Sequence, residues 1–134
     1  MRYLDTSAFL KLLVREPHSS AMAVAVESAD LWSSTLLAVE AHRAAVRLGV
    51  PADEVDALLD EVSLVLPAAS TFHAAQSVGT DELRTLDALH LAAALEIGTE
   101  LECVMTYDKR LASNADALGV VVSAPGLRVG WWSS

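Results

Sequence analysis

Short apolar segments separated by stretches with helical spacing constrain this chain more than any other feature. Arg2–Asp5, Leu31–Ser33, Glu102–Thr106 and Val120–Ser123 read as buried strands, and Leu64–Leu66 as a further strand of undetermined type. Helical periodicity covers Ser7–Val14, a segment from Glu16-Pro17 to about Ser28, Thr35–Leu48, Pro51 to about Glu61, Ser70–Val78, Leu86–Ile97 and Lys109–Leu118. Gly49, Gly98 and Gly119 stand where three of these helices must stop, and Pro51 opens the one after Gly49. Strands alternating with helices imply a three-layer α/β/α sandwich around a mostly parallel sheet, with right-handed crossovers. In such sheets the ligand crevice lies outside the carboxyl ends of the strands.

At 134 residues the chain suits one domain, 1–134, with the residues from about 127 as a flexible tail. An apolar fraction of 53% and a charged fraction of 20% exclude disorder. Cys103 is the single cysteine, which excludes an internal disulfide and a thiolate zinc site and makes it a core residue in Cys103-Val104-Met105. Met1-Arg2-Tyr3-Leu4-Asp5 enters structure with no secretory leader. The longest apolar run, Leu86–Ile97, is broken by Asp87, His90 and Glu96 and is no membrane span. A soluble, cytoplasmic protein is expected.

Four carboxylates stand out by position. Asp5 and Asp108 fall at the carboxyl ends of two strands, where each also suits a helix N-cap. Glu40 interrupts the apolar stripe Leu37, Ala41, Ala44 and Leu48, and either pairs with Arg43 one turn on or serves a site. Asp87 and His90 share one side of a helix that is otherwise apolar all round, and Arg84 or His90 could pair with Asp87. If the four acids converge, their repulsion calls for a cation, and Mg²⁺ suits an all-oxygen set. Paired histidines or thiolates for zinc are absent. A net charge of −9 runs against nucleic-acid binding unless carboxylate-held cations face the phosphates. Arg43, Arg84, Lys109 and Arg110 flank the acids, as a phosphate-bearing substrate would require and as local ion pairing would also produce.

Tyr3-Leu4-Asp5-Thr6-Ser7-Ala8, Leu37-Ala38-Val39-Glu40, Leu83 to Ala92 and Thr106-Tyr107-Asp108-Lys109-Arg110-Leu111 resemble, in order, the successive motifs of PIN domains, and most nearly those of the VapC toxins. The resemblance implies an endoribonuclease whose catalytic, metal-holding quartet is Asp5, Glu40, Asp87 and Asp108, binding one or two Mg²⁺ ions with Mn²⁺ able to substitute. Water activated there would attack an RNA phosphodiester. Ser7 and Thr106 match family hydroxyls that orient ligands, and Arg43, Arg84, Lys109 and Arg110 would meet substrate phosphates. The resemblance further implies a homodimer and a VapB-type antitoxin that covers the active site. His90 is expected to make a structural hydrogen bond, and His18, His42 and His73 to be solvated.

A housekeeping RNA-processing nuclease would carry the same motifs, whereas four intact carboxylates argue against a non-catalytic binding module, which has no need of buried acids. A phosphoacceptor receiver domain is disfavoured, because Asp5 lacks an acidic neighbour and Lys109 adjoins Asp108.

Overall fold

The computed structural model describes residues 1–133. The chain runs β1 (Arg2–Leu4), α1 (Thr6–Leu13), α2 (Ser19–Ala25), β2 (Leu31–Ser34), α3 (Leu36–Leu48), α4 (Ala52–Leu59), β3 (Ser63–Val65), α5 (Ala69–Ala75), α6 (Thr85–Glu96), β4 (Cys103–Met105), α7 (Lys109–Ala117) and β5 (Val122–Ser123). The strands form one sheet in the order β3-β2-β1-β4-β5, and every pairing is parallel. The segment near Leu64, whose type the sequence left open, is a parallel edge strand beside β2.

A parallel sheet is buried on both faces, so its side chains sort by parity. Leu4 joins Phe9, Leu37, Ala41, Val55, Cys103 and Met105 in the larger core. Tyr3, one residue earlier, packs with Val104 and Ala94 on the α6 side. Leu91 of α6 meets Leu111 and Ala115 of α7 in a third cluster. Cys103 is buried, as its apolar setting required. Helix α6 buries Ala88, Leu89, His90, Leu91, Ala92 and Ala94, so the helix with the least amphipathic sequence lies deepest. None of the described helices is long and apolar enough to cross a membrane.

Several element boundaries differ from the sequence reading by one to three residues, helix α2 at both ends. Helix α2 begins at Ser19, not at Glu16-Pro17. The Ser19 hydroxyl accepts from the Glu16 N–H (2.9 Å) and donates to the Val14 carbonyl (3.0 Å), and His18 takes a left-handed φ of 73°. This hydrogen-bonded turn holds Glu16–His18 out of the helix. The same helix ends at Ala25, and Ser28, at φ 65°, turns the chain back toward β2. Near the C-terminus Trp131–Ser133 form a 3₁₀ turn against α7, with Trp132 Nε1 donating to Asp116 Oδ2 at 3.3 Å.

The loop before α6 is tied to α7 by Asn114, which is 5% exposed. Its Oδ1 accepts from the Thr80 N–H at 2.7 Å, and its Nδ2 donates to the Arg110 carbonyl at 2.8 Å. Gly79 has a φ of +71°, and a Cβ there would stand 2.6 Å from Asn114 Oδ1. Gly79→Ala is therefore expected to cost about 1–3 kcal/mol through left-handed strain and displacement of the amide. Urea denaturation should show a lower midpoint at unchanged slope, and an unchanged midpoint would refute the account.

Candidate active site

The sheet grows outward from β1 in both directions, through β2 to β3 and through β4 to β5. Its switch point is therefore at β1 and β4, where an α/β sheet opens a crevice at the strands' carboxyl ends. Asp5 follows β1 there and is 2% exposed. Its Oδ1 accepts from the Ala8 N–H (2.9 Å), capping α1, and from the Ser7 hydroxyl (2.7 Å). Its Oδ2 accepts from the Thr106 hydroxyl at 2.5 Å. Burial raises the Asp5 pKa, and the Thr106, Ala8 and Ser7 hydrogen bonds oppose that rise.

The same hydroxyls reach the β4 side. Ser7 Oγ accepts from the Tyr107 N–H (2.8 Å), and Thr106 Oγ1 accepts from the Asp108 N–H (3.0 Å). Asp108 caps α7 by accepting from the Leu111 N–H at 2.9 Å. The N-cap reading of both strand-end aspartates thus holds alongside any further role. An N-cap engages one carboxylate oxygen; at Asp5 the other oxygen also accepts, from the Thr106 hydroxyl.

Asp87, in the first turn of α6, meets these acids from the helical layer. Burial pushes its carboxyl up to about 6, and the charges of Asp108, Asp5 and Glu40 add to the rise, against a smaller opposing effect of His90. Glu40 is bonded to His90, with Nε2 donating to Oε1 at 2.6 Å, and not to Arg43. Burial raises the Glu40 pKa, but the His90 bond and charge, with a weaker contribution from Thr6, leave it net lowered. The buried Thr6 hydroxyl makes no full hydrogen bond among the described residues. His90 Nδ1 meets the Tyr3 hydroxyl at 2.8 Å, and burial pushes the Tyr3 pKa up to about 12. His90, 1% exposed, is therefore the buried hydrogen-bonded residue expected from sequence.

The donor set suits a hard divalent cation. It comprises carboxylates alone, and in one of them, Asp87, burial and then its neighbours' charges disfavour the ionised form that a cation would restore. Among the described residues no three His, Cys, Asp or Glu side chains are arranged to hold a metal by themselves. Magnesium does not need such a cage, because it keeps several waters and takes only one or two carboxylates directly. Arg43, Arg84, Lys109 and Arg110 are all exposed. Among the described residues no ion pair joins Arg43 to Glu40 or Arg84 to Asp87, and the histidine at hand, His90, pairs with Glu40.

Comparison with known proteins decides the lineage. A PIN domain match spans residues 2–117. The chain belongs to the PIN-domain family. It is 38% identical to Ribonuclease VapC47 of Mycobacterium tuberculosis (strain CDC 1551 / Oshkosh) over 133 residues, covering 94% of this chain and 98% of that protein. It is also 38% identical to Ribonuclease VapC46 of the H37Rv strain over 125 residues (92% and 96%), and to Ribonuclease VapC35 over 135 residues (94% and 98%). The sequence resemblance to VapC PIN domains is thereby confirmed.

The PIN domain contains contacts that sequence reading did not supply. Tyr3 lies two residues before Asp5, hence on the same face of the strand, which was the available signal for a partner to His90. His42 is not simply solvated: its Nε2 meets Asp56 Oδ1 at 2.8 Å. His18 stacks on Tyr107 at 6.0 Å between ring centroids. Neither pairing had a sequence signal, because each crosses between helices or loops distant in the chain.

The raised Asp87 carboxyl has a measurable consequence in metal-free protein. Its folded pKa of about 6 exceeds the ordinary 3.8, so the folded state prefers the neutral form. The ionised form therefore destabilises the fold at pH values above about 6, and that penalty fades as the pH falls toward the unfolded value. Asp87→Asn should raise stability in EDTA at pH 7 by about 1 kcal/mol after allowance for solvent screening. The gain should vanish near pH 4 by thermal melting, and a loss of stability at pH 7 would contradict it.

Proposed function

We propose that this chain is a divalent-metal-dependent endoribonuclease, acting as the toxin of a toxin–antitoxin pair and silenced by a VapB-type antitoxin. The observation that carries the reading is that Asp108, Asp5 and Glu40 all lie close enough to Asp87 for their charges to add to the burial that pushes its carboxyl up to about 6. A fold that gathers acids at the switch point of its sheet, against their repulsion, is built for a cation. Its similarity to the ribonucleases VapC47, VapC46 and VapC35 supports RNA as the substrate class.

Asp5, Glu40, Asp87 and Asp108 are the residues that would hold the ions. Ser7 and Thr106 fix both oxygens of Asp5 and so set the direction it faces. His90, braced by Tyr3, fixes Glu40. One or two Mg²⁺ ions, or Mn²⁺ in their place, would supply a water of lowered pKa and neutralise charge on the phosphate. Arg43, Arg84, Lys109 and Arg110 would draw in an RNA backbone that the net charge of −9 otherwise repels. The family resemblance extends the reading to a homodimer working in the cytoplasm.

Antitoxin-free protein should cut labelled RNA internally with Mg²⁺ or Mn²⁺, and EDTA should abolish the cuts. Asp87→Asn should slow cutting by more than about 100-fold, beyond the loss expected when only a ligand's support is removed. Cleavage that survives EDTA, or an Asp87→Asn protein as active as the unaltered one, would sink the proposal.

A further inference from the structure

Beside the first turn of α7 lies a cavity of about 540 Å³ lined by Glu82, Lys109, Arg110, Ser113 and Trp132. Its volume falls in the range of small-ligand sites. The chain has nine Lys and Arg against eighteen Asp and Glu, so two cations in one cavity of five lining residues is a local reversal of charge. Lys109 and Arg110 directly follow Asp108, the cap of α7, so the cavity adjoins the carboxylate cluster.

The aromatic wall is held in place. Trp132 Nε1 donates to Asp116 Oδ2 at 3.3 Å, and Trp131 packs edge-on against it, with centroids 6.0 Å apart at 83°. Asp116 lies eight residues along α7 from Asp108, about 12 Å at 1.5 Å per residue, a span of only a few nucleotides. The PIN match ends at residue 117, so Trp132 lies outside the part shared across the family.

We infer that this cavity is a subsite for one unpaired RNA nucleotide flanking the cleaved bond. Its phosphate lies against Lys109 and Arg110, its base stacks on Trp132, and an amino group on the base edge donates to Glu82. The inference rests on the ribonuclease reading. Single-stranded RNA is recognised by such stacking with hydrogen bonds to the exposed base edge. A carboxylate only accepts, which suits the amino group of cytosine, whereas uracil offers only its N3–H, flanked by two carbonyls that repel a carboxylate. Cytosine and uracil are matched in size and stack alike, so their comparison isolates Glu82.

Binding is measured by fluorescence anisotropy with labelled oligocytidine and oligouridine, in full-length protein carrying Asp87→Asn so that cutting does not obscure it. Adding Trp132→Ala should weaken oligocytidine binding by about 5- to 100-fold, with Trp132→Phe retaining most of the affinity. Ser113→Leu, which fills the cavity from the α7 side, should weaken binding similarly and guards against a folding defect in the tryptophan variant. Oligouridine should bind about fivefold more weakly or worse, and Glu82→Gln should close that gap. Equal binding by the Trp132→Ala protein, equal loss in Trp132→Ala and Trp132→Phe, or no RNA binding at all would overturn the subsite. Equal affinity for the two oligonucleotides would overturn the part given to Glu82. Cleavage by the otherwise unaltered chain is scored separately, so the subsite and the nuclease can fail independently.

Discussion

Repulsion among carboxylates drawn out of water is the constraint around which this protein is arranged. A buried acid is stable only if hydrogen bonds or opposite charge compensate its lost hydration. Each of the four acids here meets that requirement differently. Asp5 is almost enclosed and is compensated by two hydroxyls and a backbone N–H. Glu40 leans on His90, and Asp108 on the start of α7. Asp87 has the least local support and therefore registers the field of the other three.

Those compensating contacts also hold the fold together. Ser7 and Thr106 belong to opposite ends of the chain, yet both bind Asp5 and both accept an N–H from the β4–α7 connection. The carboxyl edges of β1 and β4 are thus joined through polar side chains as well as through the sheet. The line Tyr3–His90–Glu40 does the same across layers, linking the central strand to α6 and α3. A polar network buried to this degree is worthwhile only when its members are satisfied, and these are.

Most of the architecture was legible because its signals are local. Gly49, Gly98 and Gly119 marked helix ends, and the unbroken apolar character of Leu86–Ile97 announced a buried helix. The four acids stood out because a charge on an apolar stripe or at a strand end is conspicuous without any structure. What sequence could not give was pairing at a distance. The start of α2 depended on the Ser19 hydroxyl closing back onto Val14 and Glu16. Glu40 chose His90, fifty residues away, over the nearby Arg43. The His42–Asp56 and Thr80–Asn114 contacts are of the same kind, set by how helices meet.

Strand β1 carries Tyr3, and Asp5 follows two residues on in extended backbone, so both point to one side of a three-residue strand whose register is fixed against β2 and β4. Both the brace on Glu40 and the most enclosed acid are thereby tied to one alignment of a very short segment. A slip of one residue in the register of this segment would turn both side chains toward the opposite layer at once. This segment should therefore tolerate exchanges of side chain far more readily than changes of length, whereas the polypeptide after β5 carries no such register.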